Sequence, residues 1–369
     1  MKIALVHDYI KEFGGAERVL RVLSDMYPKA PIYTAFRVKG SECDKVFKDR
    51  EIVTSFLAPL LKIWKLYSPL RFLAPLVWRS MDLSEFDLVI TSASWYITRG
   101  FKVGKNTKVV CYCHTPPRYL YGYDTSINLQ KYWLVRIYAG VVNHFLRLYD
   151  LWSADTVDKW IVNSLNIQRR VKKFYRKNSV VIYPPIDVER FIEESRKTKK
   201  GDYFLIVSRL VGSKGLEEAV RAAKIGGFRL RISGSEAGLS GVAEKLENLG
   251  GENVELLGRV SDEKLAKLYA KAIGFIALAR DEDFGITPVE AMACGTPVIA
   301  FNGGGFKESV VDGVTGVLIN DTSEKTIGKA VKKVMSMNWD KNKLQQQARK
   351  FSKEKFEKEM RKVCQSYQK

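Results

Sequence analysis

Two carboxylates with seven residues between them, Glu282 and Glu290, stand in the stretch RDEDFGITPVEAMACGTPVIAFNGGG (280–305). Such a pair can serve as general acid and base. Two cations five residues apart, Arg209 and Lys214, lie before a glycine and a helix, a placement suited to a diphosphate leaving group. Gly14 and Gly15 open a helix, where backbone N–H groups can approach a phosphate closely. His114 lies just past a strand and is held by a Pro-Pro turn, with Arg118 four residues on. Each feature also has a plain structural reading. Glu290 stands three residues after Thr287, so it can be the second member of a capping box. Asp281-Glu282-Asp283 can be an ordinary acidic loop or a metal cluster, Arg209 and Lys214 can be solvated cations, and Gly14-Gly15 can be a tight turn.

The elements that must position these groups are legible in the periodicity. An apolar strand is expected at Gly274 to Leu278, then the acidic loop, then a helix with Thr287 as N-cap, Pro288 at its first position and Gly295 at its end. A second strand (Pro297 to Phe301) and a glycine turn follow. An acidic loop leading to a helix N-terminus at the carboxyl end of a strand is where open α/β sheets bind ligands. The chain start repeats the theme: Lys2 to Val6 as strand, a glycine turn, then Val19, Val22, Leu23 and Met26 at helical spacing. It lacks G-x-G-x-x-G, and residues 208–215 lack the Walker A spacing, so neither a dinucleotide site nor a P-loop is expected.

Strand–helix alternation recurs through both halves, which predicts parallel sheets covered on both faces. Strands are expected at Leu88–Thr91, Val109–Cys113 and near Asn163, then at Tyr203–Ser208, Phe228–Ser233, Asn253–Leu257 and Gly316–Ile319. The stiff pair Pro184-Pro185 marks a boundary near Tyr183. Two Rossmann-like domains are therefore expected, residues 1–183 and 184–344.

The chain has 369 residues, enough for two domains of about 150–200. Its net charge of +20 calls for an anionic partner: a nucleotide, a lipid phosphate, a membrane or a nucleic acid. Five cysteines without a C-x-x-C pair, and three scattered histidines, support neither a disulfide framework nor a zinc site, and a reducing cytosol is expected. The N-terminus does not read as a signal peptide, and no transmembrane helix is expected. Residues 56–81 hold Lys62, Lys65, Arg71, Arg79, Trp64 and Trp78 with no acidic residue, and Pro59, Pro69 and Pro75 divide them into short helical pieces. That mixture suits contact with membrane headgroups, as does the basic–aromatic segment 131–147; a buried helical pair is the alternative.

The stretch Glu282 to Val298, with its Phe284-Gly285-Ile286 core, Glu290-Ala291-Met292-Ala293 helix and Gly295-Thr296-Pro297-Val298 exit, resembles the E-x7-E signature of retaining glycosyltransferases of family 4, which have the GT-B fold. The resemblance runs over nearly the full chain. It takes in the R-x4-K-G pattern at Arg209, the double-glycine loop, and Tyr183-Pro184-Pro185-Ile186-Asp187 as interdomain linker. It implies two Rossmann-like domains with parallel sheets facing each other across a cleft, and a last helix (about 345–369) crossing back onto the first domain, with Trp339 and Phe351 as candidate anchors. By resemblance, Arg209 and Lys214 clamp the diphosphate, Glu282 holds the transferred sugar and Glu290 the ribose. Gly258 and Val260 border the base, and Phe284, Gly285, Ile286 and Thr287 present backbone N–H groups. Gly14 and Gly15 face the donor phosphates and the acceptor.

His114-Thr115-Pro116-Pro117-Arg118-Tyr119-Leu120 resembles a segment of the mannosyltransferases that build O-antigen and related surface glycans. It implies that His114 touches the transferred sugar and that Arg118 binds phosphate or acceptor. Arg99-Gly100 fits the same subgroup, with arginine where lysine is common. The expectation is a metal-independent, retaining transferase without a cofactor, moving mannose from GDP-mannose to a glycolipid or lipid-linked oligosaccharide. Its place would be cytoplasmic, on the inner face of the cell membrane. A UDP-sugar donor is the alternative within the fold. A basic nucleic-acid-binding protein is the alternative from another class, and no RRM, KH or helix-turn-helix signature supports it.

Overall fold

The computed structural model describes residues 1–63, 67–125, 133–236 and 241–367. The chain divides into two compact units, and the division between consecutive elements falls at Pro185/Ile186, two residues past Tyr183.

The first unit is built on a seven-stranded parallel sheet of order β3-β2-β1-β4-β5-β6-β7. Its strands are β1 (Ile3–His7), β2 (Ile32–Thr34), β3 (Ile52–Thr54), β4 (Leu88–Ala93), β5 (Lys108–Cys113), β6 (Lys159–Val162) and β7 (Ser179–Val181). Both faces are covered, so the central strands are apolar along their length, and alternate side chains enter separate cores. Ala4, Val6, Val89 and Cys111 pack on one face beside Trp78 and Trp160. Leu5, Ile90, Val110 and Tyr112 pack on the other, where the last helix, Lys353–Gln365, contributes Phe356, Met360 and Cys364. The preceding helix, Lys341–Arg349, packs instead in the second unit against helix Ile286–Ala293, so the crossing begins at 353 rather than 345. Trp339 and Phe351 also stay in the second unit. Trp339 packs on its core, and Phe351 lies 5.3 Å from the Phe284 ring.

The second unit carries a six-stranded parallel sheet of order β10-β9-β8-β11-β12-β13. These strands are β8 (Tyr203–Val207), β9 (Arg229–Ser233), β10 (Val254–Gly258), β11 (Gly274–Ala277), β12 (Val298–Phe301) and β13 (Gly316–Ile319). In each sheet the strand order reverses direction at one place, between β1 and β4 and between β8 and β11. Neighbouring crossovers leave to opposite faces there, and a crevice opens at the carboxyl ends. Gly14 and Gly15, and Arg209, Lys214 and Glu282, follow the strands at these two places, while His114 follows β5 and Gly258 ends β10.

The short strands β2 and β3, of which β3 is the edge, and the helices Trp133–Ala154, Val188–Lys197 and Glu324–Ser336 are additions to the sequence reading. Helix Val188–Lys197 takes in the first part of the lysine-rich segment that precedes β8.

Candidate functional site

In the second unit the site is built from two loops. The loop after β8 carries Arg209, which is exposed, and then a 3-10 turn, Gly212–Lys214, that brings Lys214 into a half-buried position. The loop after β11 carries Glu282. Lys214 Nζ donates to Glu282 Oε2 at 2.6 Å, each side chain about one-fifth exposed (22% and 22%). The cation motif and the acidic motif, 68 positions apart in sequence, thus meet in one ion pair. Glu282 has a structural duty that its place in the sequence did not reveal.

The acidic loop is held from beneath by the glycine turn 303–305. Gly305 N–H donates to Glu282 O at 2.9 Å, and a Cβ on Gly304 would sit 2.4 Å from that same oxygen. The glycines after β12 therefore serve the loop after β11 through close backbone approach.

Helix Ile286–Ala293 starts two residues before the expected point. Gly285, at φ 86°, is its N-cap, with no side-chain capping bond, so Thr287 lies inside the first turn. A tight left-handed turn is required above Phe306, and glycine alone adopts it without strain. Pro288 occupies the third helical position, and Glu290 falls two residues past the capping-box register counted from Gly285. Glu290 is 3% exposed, and the Tyr269 hydroxyl donates to its Oε2 at 2.7 Å. The helix ends as expected at Gly295. Gly295 N–H bonds to Met292 O and Thr296 N–H to Ala291 O, both at 2.9 Å, the paired bonds of a Schellman motif.

Glycine at the N-cap supplies no side-chain acceptor to the first turn, and the helix dipole favours an anion there. Gly258 is exposed and Val260 half-buried at the end of β10. Gly258 O accepts from Gly234 N–H at 2.9 Å and from Ser233 Oγ at 3.0 Å, which ties this strand end to β9. With two strands between β10 and β11, Gly258 and the acidic loop are about 14 Å apart, three interstrand spacings.

In the first unit, register makes the site. His7 at the end of β1 pairs with Ser92 on β4, and Ala93 pairs with Cys113, which precedes His114. A buried chain results. Glu17 Oε1 lies 3.3 Å from His7 Nε2, His7 Nδ1 lies 3.2 Å from Ser92 Oγ, and Ser92 Oγ lies 2.8 Å from His114 Nε2. Burial alone would lower the His7 pKa, but the hydrogen bond and charge of Glu17 carry it above its ordinary value. Burial pushes His114 down to about 3, and the neighbouring His7 charge adds to that. His114 is thus held neutral beside a ring whose pKa Glu17 raises. Asn163 Nδ2 donates to His114 O at 2.9 Å.

Beside them, buried Asp8 accepts from Ser94 Oγ at 2.6 Å, Trp95 N–H at 2.5 Å and Thr98 Oγ1, which orders the loop after β4. His7, Asp8, Glu17 and Ser92 were missed as site residues. The signal was present in the His-Asp pair ending the first strand and in Glu17, three residues past Gly14. Gly14 N–H donates to Glu17 Oε2 at 2.9 Å, so this amide, expected to face a phosphate, is taken by a carboxylate. Gly15 is the first helical residue, and Arg118 begins a 3-10 turn, Arg118–Leu120, in a half-buried position. Arg99 is structural: it is 1% exposed, pairs with fully buried Asp150 and lies 5.1 Å over Trp160.

Among the described residues, no group of three or more His, Cys, Asp or Glu side chains is arranged to hold a metal ion, and Asp281–Asp283 form no such group.

Two parallel sheets in Rossmann-like units, each with its candidate residues at the carboxyl edge, define the GT-B class. The profile "Glycosyltransferase Family 4" matches residues 13–190, and "Glycosyl transferases group 1" matches residues 187–351. The chain belongs to the glycosyltransferases of family 4. An uncharacterized glycosyltransferase of Methanocaldococcus jannaschii is 31% identical over 192 residues, 49% of this chain and 52% of that protein. The alpha-1,3/1,6-mannosyltransferase ALG2 of Dictyostelium discoideum is 30% identical over 272 residues, 60% of each chain. The chain thus spans roughly half to three-fifths of the length of these relatives. Among solved structures, Anabaena HepE in complex with UDP and glucose is similar, with a TM-score of 0.68 at 18% identity, covering 99% of this chain and 100% of that one.

Proposed function

We propose that the chain transfers a hexosyl unit from a nucleotide sugar to a glycolipid or lipid-linked oligosaccharide, retaining the anomeric configuration and without a metal ion. The observation that carries this reading is the Lys214–Glu282 ion pair, which couples a diphosphate-type cation to a sugar-type carboxylate at the carboxyl edge of one sheet. The bond broken joins the anomeric carbon to the diphosphate oxygen. The bond formed joins that carbon to the acceptor oxygen on the same face, and the acceptor proton passes to the departing phosphate. Arg209 and Lys214 carry the charge that develops on the leaving group, and the uncapped helix start at Gly285 adds its dipole. Lys214 has three donors and can keep Glu282 while it turns to phosphate. Glu282, so oriented, accepts from the sugar hydroxyls, and Glu290, oriented by Tyr269, from the ribose.

GDP-mannose is the favoured donor. The support is the His114–Leu120 segment and a relative that is named a mannosyltransferase. His114 and Arg118 belong to the acceptor side, His114 as a neutral hydrogen-bonding group. A UDP-sugar is the alternative, supported by the UDP and glucose held in HepE. The membrane-borne acceptor rests on the net charge of +20 and residues 56–81, and it would place the protein on the cytoplasmic membrane face.

The test is calorimetric binding with a transfer assay. Glu282→Ala is expected to lower the transfer rate by about 10²–10³-fold while GDP affinity stays within about threefold, since Lys214 keeps its charge. Arg209→Ala is expected to weaken both, costing about 1.5–3 kcal/mol in GDP binding. Stabilisation by UDP and not GDP would move the reading to the alternative donor. Stabilisation by RNA and by neither nucleotide would end it.

A further inference from the structure

The helix Trp133–Ala154 belongs to the first unit and presents a stripe that the site described above does not use. Leu134, Ile137, Val141, Phe145, Leu148 and Trp152 follow one another at three- or four-residue spacing, and all are 50–65% exposed. By helical periodicity they share one face, opposite the buried Ala139, Asn143, Leu146 and Asp150. A soluble helix normally turns such a face inward. Here the polar, small side is buried and the apolar side is out.

What borders the stripe says what covers it. On one flank stand exposed Arg136 and Arg147. On the other lies the segment 69–79, bound to the helix by Tyr138, whose hydroxyl donates to Pro69 O, and by Arg71, whose Nη2 donates to Asn143 Oδ1 at 3.2 Å. Arg79 lies 5.6 Å over the Trp152 ring, and Phe72 and Leu76 of this segment are themselves about half exposed (46% and 50%). The one acidic residue of the helix, Asp150, is fully buried against Arg99. The exposed face is therefore apolar, edged by arginines on both sides, with tryptophan near each end at Trp133 and Trp152. Trp78, expected at the membrane interface, is instead fully buried with its Nε1 donating to Tyr96 O at 2.6 Å; Trp64, Lys65 and Lys131 lie outside the described residues.

We infer that this helix lies in the plane of an anionic bilayer surface, its stripe among the acyl chains and its arginines at the lipid phosphates. This names the face for the membrane partner proposed above and rests on that partner reading, not on the sugar transferred. The charge pattern favours lipid over a second copy of the chain, because a copy of this helix brings no exposed carboxylate to meet the arginines. Among the described residues no helix is long and apolar enough to cross a membrane, so the helix rests on the bilayer.

The test is flotation of the full chain with vesicles of phosphatidylcholine, alone or with about one-third phosphatidylglycerol. Wild type should bind the anionic vesicles at least about tenfold more tightly, and the preference should fall with salt. Ile137→Ser with Phe145→Ser should lower the partition by more than about tenfold. Arg136→Gln with Arg147→Gln should lower it about tenfold on anionic vesicles and little on neutral ones. Both doubles should keep GDP affinity; the serine double should keep the wild-type melting midpoint, its side chains being exposed, and the glutamine double should lower it by no more than about 4 °C, since Arg147 Nη1 also donates to Leu120 O at 3.2 Å. Undiminished vesicle binding by the serine double would overturn the assigned face. A wild-type dimer made monomeric by the same substitutions, with no vesicle binding, would assign the stripe to a second copy. Either outcome leaves the GDP measurement, and with it the transferase reading, standing separately.

Discussion

At the scale of single residues, His114 carries the most information per atom. Its ring is buried, bonded through Ser92 to His7, and held neutral with a pKa of about 3. In the unfolded chain the same group titrates near 6.5. A folded value below the unfolded one means that the unfolded chain takes up the proton first. The stability His114 contributes is therefore full above pH 6.5 and is lost as pH falls toward 3. His7 runs the other way, being raised by Glu17, so its contribution is present below 6.5 and lost as pH rises through its folded value. Urea unfolding between pH 6.5 and 4 should show His114→Gln losing roughly 3 kcal/mol less than wild type. Equal slopes would mean that the ring is not held neutral. The pair Lys214–Glu282 makes the complementary point: each residue was picked out in sequence, but the bond between them was not. Pairing across 68 positions depends on the adjacency of β8 and β11, which no local pattern encodes.

At the scale of elements, helix Ile286–Ala293 shows where local signals succeed and where they mislead. Its end at Gly295 was read correctly because the Schellman motif is local. Its start was read two residues late, because Thr287 and Pro288 form a persuasive cap signal while the real cap is glycine packed against Phe306, a tertiary neighbour. The two readings predict different outcomes. Gly285→Ala must place a Cβ 2.5 Å from the Phe306 ring at positive φ, and should cost about 1–3 kcal/mol, lowering the melting midpoint by about 3–10 °C. Thr287→Ala should cost less than about 0.5 kcal/mol, where loss of a true cap would cost about 1. Differential scanning calorimetry of the two variants separates them. Helix Trp133–Ala154 escaped the sequence reading for a related reason. Its apolar and polar faces are both periodic, and periodicity does not say which of them is outside.

At the scale of the whole molecule, the last helix is the long-range tie of the first unit. Phe356, Met360 and Cys364 enter the same core face as Leu5 and Tyr112, with Phe356 5.7 Å from the Tyr112 ring. Removing residues 353–369 exposes that face and forfeits about 1.5–3 kcal/mol for each large side chain withdrawn. The truncated chain should lose the calorimetric transition of the first unit while the second still binds GDP. Loss of both together would mean that the two units depend on each other for folding. By itself the sequence determined the class: strand–helix alternation, two parallel sheets and the Glu282–Val298 signature all follow from short-range pattern, because parallel strands buried on both faces must be apolar throughout. The tertiary structure alone decided which groups meet. Strand order set Lys214 against Glu282, register lined up His7, Ser92 and His114, and packing chose the outward face of one helix. Each depends on contacts between segments far apart in the chain, whose energy exists only once the sheets have formed.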